Sequence, residues 1–246
     1  MHYKPFGILV STALVGYACS ASAAVIVTTA KFGTLADLTP EPTISANDLG
    51  QIGTFTSTGS EGANPQRLNN GSIGNTDGDT NEEVRINSTT TSVTLTFDVT
   101  TNTLGYDITG IKTVAGWNEL SGGRSNQGYA ITFTFVNDTT ATFVNKQNWE
   151  PNLSDSFYWT EVEFTEDGGG VLNSDTVAVN GGAAAADAGT TATGVKAISW
   201  TTFDNANPGS IVLYREFDVF GTATVPEPSV AILGGIGLLA LLRRRR

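Results

Sequence analysis

Histidine and cysteine are almost missing. The 246-residue chain holds one of each, His2 and Cys19, and both fall in its first 23 residues. Beyond residue 23 there is no imidazole and no thiol. A Ser-His-Asp triad, a cysteine nucleophile, a disulfide and a zinc site of the usual kind are therefore excluded, and any catalysis has to run on carboxylates. Basic residues are scarce too. Lys4 and Arg243 to Arg246 account for five of the 13, and Glu227 for one of the 24 acidic residues, so the stretch between the two ends carries 8 basic and 23 acidic residues, a net charge of −15. Nucleic-acid affinity comes mainly from Lys and Arg releasing counterions, so a nucleic-acid partner is excluded. Helix-forming composition is thin: Thr, Asn and Gly dominate, with little Lys or Leu.

What is present begins with two addressed ends. Lys4, an apolar stretch from Phe6 to Gly16 and the small residues Ala21-Ser22-Ala23 follow the charge, core and cleavage order of a secretory signal peptide, with signal peptidase expected to cut after Ala23. Cys19 lacks the preceding aliphatic residue that a lipid-attachment motif requires. At the far end, Pro226-Glu227-Pro228 leads into the uncharged stretch Ser229 to Leu242 and then four arginines. As a helix that stretch would be about 21 Å long, short for a hydrocarbon core of about 30 Å, and the arginines would stay on the cytoplasmic side. The expected organisation is residues 1–23 signal peptide, 24–225 one folded domain, and 226–246 a hydrophobic sorting tail that meets the membrane transiently.

Alternation governs the middle. Val93, Leu95, Phe97 and Val99 alternate with Thr94, Thr96 and Asp98, the period of a half-buried strand, and Tyr129, Ile131, Phe133 and Phe135 repeat it. Further strands are expected at Val25–Thr29, Gly53–Thr58, Glu83–Asn87, Thr109–Trp117, Thr140–Asn145, Trp159–Thr165, Thr176–Val179, Val195–Phe203 and Ile211–Phe220, many separated by Gly, Asn or Asp turns. With no amphipathic helix among them, the fold class is all-β: an antiparallel β-sandwich, most simply a jelly roll. Gly59–Asp79, Glu166–Ser174 and the Gly/Ala/Thr-rich Gly181–Gly194 are expected as loops, the last a mobile connection.

Sugar recognition needs an aromatic face for the C–H side of the ring together with amide, guanidinium and carboxylate groups for the hydroxyls. Trp117, Asn118, Arg124, Asn126 and Gln127 supply that inventory within one turn-rich stretch; against it, Trp117 can end a core strand and Arg124 can tie down its own loop. Trp149, in the polar Pro-containing run Gln147 to Pro151, is a second candidate platform, whereas Trp200 alternates with Ile198 and reads as core. Asp77, Asp79 and Asn81 place oxygen ligands at alternate positions, suited to a hard cation such as Ca²⁺ or to a plain solvated turn. Glu161 and Glu163 offer the one carboxylate pair that an enzyme would need, but the same spacing is that of any solvent-facing strand edge. The chain is read as not an enzyme.

Two resemblances add to this. Pro226-Glu227-Pro228, the Gly-containing apolar segment and the Arg run closely resemble the PEP-CTERM sorting signal. That likeness implies an exported protein of a Gram-negative bacterium that makes exopolysaccharide, whose tail an exosortase removes during sorting to the surface or extracellular matrix. More faintly, Gly116-Trp117-Asn118, Gly123-Arg124-Ser125-Asn126-Gln127, the strand from Tyr129 and Tyr214 to Gly221 resemble discoidin-type, galactose-binding-like domains. This implies a jelly roll that presents loops at one end to glycan, and a structural Ca²⁺ held by a carboxylate near the last strand, which Glu216 matches. Along that strand Phe217 and Val219 share one face, so Glu216 and Asp218 share the other, where a carboxylate needs a partner or a metal. A salt bridge from Glu216 to Arg215 or Arg124, or simple exposure, is the alternative.

Overall fold

A computed structural model of the chain describes residues 23–30, 42–59, 64–74, 83–86, 90–116, 125–149, 159–166, 170–175, 187, 189–203 and 211–226. Ten strands run through them: β1 (Ala23–Ala30), β2 (Thr54–Thr58), β3 (Val84–Ile86), β4 (Ser92–Thr96), β5 (Tyr106–Gly116), β6 (Gln127–Phe135), β7 (Thr140–Trp149), β8 (Trp159–Glu166), β9 (Val195–Thr201) and β10 (Val212–Ala223). Each overlaps a stretch expected to be strand, and β7 runs on beyond its expected end at Asn145 to Trp149. The expected strand Thr176–Val179 lies outside the described residues.

All pairings are antiparallel, and they form one sheet that curls into two layers. One layer runs β1-β8-β5-β10-β3 and the other β7-β6-β9-β4-β2. A single register pair, Tyr106 with Val195, joins them at a corner. Apart from the β6–β7 hairpin, successive strands pass from one layer to the other, the connectivity of a jelly roll. Rings from both layers meet between them: Trp200 of β9 lies 4.9 Å from Phe217 of β10, and Trp149 of β7 lies 5.4 Å from Phe164 of β8. Burial of these apolar faces is the main force that holds the layers together.

Local chemistry closes the sandwich where alternation stops. Two 3₁₀ turns, Leu49–Ile52 and Pro65–Asn69, are capped by the side chains of Asp48 and Asn64. The second carries Leu68, fully buried, into the core from a stretch expected to be loop. The 181–194 segment also departs from expectation. Ala192 is fully buried, its N–H donates to Leu172 O at 2.8 Å, and its carbonyl accepts from Ile108 N at 2.9 Å. The end of that segment is thus part of the core. Among the described residues no helix is long and apolar enough to cross a membrane.

Candidate functional site

Strand register sets two poles. Gly116 pairs with Trp159, Gln127 with Trp149, Ala130 with Thr201, and Ala115 with Tyr214. The ends of β5, β7 and β9 and the starts of β6, β8 and β10 therefore gather at one pole. The sequence segments 117–124, 150–158 and 204–210 all leave and re-enter the fold there. Gly116 adopts φ 142°, a conformation side chains disfavour, where the chain turns out of β5. Arg215, fully buried, donates from Nε to the Gly116 carbonyl at 3.1 Å and stands 3.5 Å from the carboxylate of Glu83, tying down the base of the first loop.

At this pole the expected ligand residues separate. Trp117, Asn118 and Arg124 lie outside the described residues. Gln127 does not present its amide to a ligand: it is 1% exposed, its Nε2 donates to the carbonyls of Thr113 and Thr160, and its Oε1 accepts from Thr113 Oγ1 at 2.7 Å. Trp149 is likewise no exposed platform. Strand β7 continues through the polar run to reach it, and its ring packs 5.2 Å from Tyr129 as part of the core. Asn126 differs from both. It is 1% exposed, and neither Nδ2 nor Oδ1 has a hydrogen-bond partner. A buried amide left so costs about 1–3 kcal/mol, so it calls for an explanation.

A second cluster lies on the outer face of β8, β5 and β10. Phe217 and Val219 point into the core, which turns Glu216 and Asp218 outward as the alternation requires. Both are nevertheless buried, because residues 42–53 cross over them. Ser45 N donates to Asp218 Oδ2 at 2.9 Å, and Glu216 Oε1 accepts from Gln51 Nε2 at 3.1 Å and Gly71 N at 3.2 Å. Asp48 Oδ1 accepts from Gly50 N at 2.6 Å and Val219 N at 2.9 Å. The approach is so close that a Cβ on Gly50 would meet Phe217 O at 2.9 Å.

One oxygen of each carboxylate, Glu216 Oε2, Asp218 Oδ1 and Asp48 Oδ2, is buried without a partner. Burial, with Asp218 beside it, pushes the Glu216 carboxyl up to about 9. Burial and the nearby Asp48 push Asp218 up to about 7, and burial raises Asp48. Arg215 is paired with Glu83, so it is not the counter-charge of Glu216 that the sequence offered as an alternative. Lys112 faces the same side but sits 3.7 Å and 3.8 Å from Glu161 and Glu163. Both carboxylates of that pair are thus ion-paired to Lys112.

In donor type the unpaired carboxylate oxygens suit a hard cation, while the backbone groups that reach the cluster, the N–H groups of Ser45, Gly50 and Gly71, are hydrogen-bond donors. No three acidic side chains among the described residues form a closed ligand set. Glu216 and one neighbouring carboxylate would need backbone oxygens to complete it. Asp77, Asp79 and Asn81 lie outside the described residues.

No family model and no curated protein matches the chain. Solved structures similar to it include a mutant of the lectin-binding domain of lectinolysin complexed with Lewis b, at 9% identity over 74% of this chain and 100% of that one, TM-score 0.43. Another is the CBM32-5 module from Clostridium perfringens in complex with GalNAc-β-1,3-galactose, at 12% identity over 71% and 99%, TM-score 0.39. A third is a pectin-binding carbohydrate-binding module, at 14% identity over 72% and 95%, TM-score 0.38. Identities of this size establish no correspondence between individual residues.

Proposed function

We propose that this chain is an exported, non-catalytic glycan- or exopolysaccharide-binding sandwich of the cell surface or extracellular matrix, whose C-terminal tail is removed by an exosortase. The observation that supports binding most directly is Asn126, a buried amide without partners beside the segment that carries Trp117, Asn118 and Arg124. In this reading Trp117 stacks on a sugar ring, and Arg124 and Asn118 donate to its hydroxyls. Asn126 meets the ligand only after its surroundings shift, and then satisfies both its donor and its acceptor. Burial of Gln127 and Trp149 gives them a supporting role beneath that site.

A structural Ca²⁺ belongs to the same proposal. It would be held by Glu216 and a neighbouring carboxylate with backbone oxygens of the crossing segment, and would supply charge compensation. Export and sorting rest on the two terminal signals. Mass spectrometry of the mature protein should find the C-terminus near Pro226 to Pro228; Arg243 to Arg246 on the bulk of the protein would contradict processing. A retention screen of the mature protein on a panel of glycans and exopolysaccharides tests binding, and sugar released from any of them would contradict the non-catalytic reading.

A further inference from the structure

The chain leaves the sandwich at the pole opposite the ligand loops, under a latch. Strand β10 carries it there: Tyr214 pairs with Ala115 at the loop pole, and Ala223 pairs with Tyr106 at the other. Twelve residues of strand separate the poles by about 40 Å. Beyond Ala223 the fold holds one more residue. Thr224 N donates to Gly105 O at 2.9 Å, and Thr224 Oγ1 donates to Asp107 Oδ1 at 2.6 Å. The same Asp107 oxygen accepts from Gly194 N at 3.2 Å, so the latch is built into the pole. Gly105, at φ 77°, admits no Cβ there, since one would meet Gly194 C at 2.7 Å. Val225 is already 74% exposed.

Only Val225 thus stands between the last residue the fold holds and Pro226-Glu227-Pro228. From Thr224 to Pro228 the chain reaches at most about 14 Å. A protease binds its substrate as an extended run with free backbone groups on both sides of the bond, so the folded pole intrudes on its cleft. We propose that the pole around Gly105, Asp107 and Thr224 is the face that a tail-removing protease must meet, and that release of the Thr224 latch governs the rate of removal. The inference rests on the tail reading given above. The reaction is a hydrolysis: one peptide bond breaks, and water supplies hydroxyl to the new carboxyl and a proton to the new amine.

The test follows tail loss by mass in a pulse-chase, with the full chain expressed in a Gram-negative host that carries an exosortase. Glu227→Ala should remain uncut. Thr224→Val, which removes the hydroxyl hydrogen bond, should be cut roughly fivefold faster than wild type. A Gly-Ser spacer of roughly eight residues inserted after Val225 should be cut faster still, and it leaves the folded residues untouched. Equal or slower cutting of the spacer chain, with Glu227→Ala uncut, would overturn the pole inference and leave the tail reading standing. A wild-type tail that is retained, or cutting that ignores Glu227, would overturn both.

Discussion

The loop pole and the face beneath residues 42–53 both bury polar side chains, but they differ in how fully those groups are satisfied. At the pole, Gln127 spends both ends of its amide on Thr113 and Thr160, and Arg215 is consumed by Gly116 and Glu83. Those residues are scaffold. Beneath 42–53, three carboxylates each keep an unpaired oxygen, and at the pole Asn126 keeps an amide with neither donor nor acceptor used, near the unpaired hydroxyls of Thr160 and Tyr214. Buried polar groups without partners are rare in stable folds, so such positions are where a ligand or ion has something to contribute.

The comparison predicts its own failures, from the largest effect down. Trp149→Ala should destabilise the fold by about 3–5 kcal/mol, seen as a lowered denaturation midpoint, because the indole fills the core between Tyr129 and Phe164. An unchanged midpoint would return Trp149 to the surface. Calcium at about 100 times its Kd should stabilise by about 2.7 kcal/mol, a rise in melting temperature of about 5–10 °C that Glu216→Gln abolishes. Coincident melts in chelator and in millimolar calcium would remove the ion; a shift that survives in Glu216→Gln would move it to Asp77, Asp79 and Asn81.

The third prediction concerns pH. Glu216 and Asp218 have carboxyls raised in the folded state to about 9 and about 7, so folding favours their protonated forms. Their stabilising protons are fully present below the ordinary carboxylate range and are lost as pH rises through the folded values. In chelator, melting temperature should fall between pH 5 and pH 9, and calcium should flatten that slope. A melting temperature that climbs over this window would show that the carboxylates are paired.

Much of the scaffold was legible because period-two patterning encodes it locally. Phe217 and Val219 against Glu216 and Asp218 is the clearest case: one strand's alternation placed both core and carboxylates on their observed faces. What was not legible depends on distant partners. The run through Gln147 to Trp149 alternates poorly, and it is strand because Gln127 to Tyr129 pair with it. Leu68 and Ala192 are core only because the sandwich leaves gaps that a 3₁₀ turn and a small-residue segment fill. The burial of Glu216 needs the crossing of 42–53, more than 160 residues away in sequence. At the candidate sugar site, sequence supplied the chemical inventory, but not the division between Gln127 as support and Asn126 as an unsatisfied group.

The most direct test of glycan binding at the loop pole compares wild type and Asn126→Ala for retention on the polymer that wild type binds best, with a melt of each. Removing an unpaired buried amide relieves its desolvation cost and offsets the small cavity it leaves, so the variant should melt at or slightly above the wild-type temperature while its retention falls. Equal retention, or a variant that unfolds, would contradict the assignment of Asn126 and with it the site at this pole.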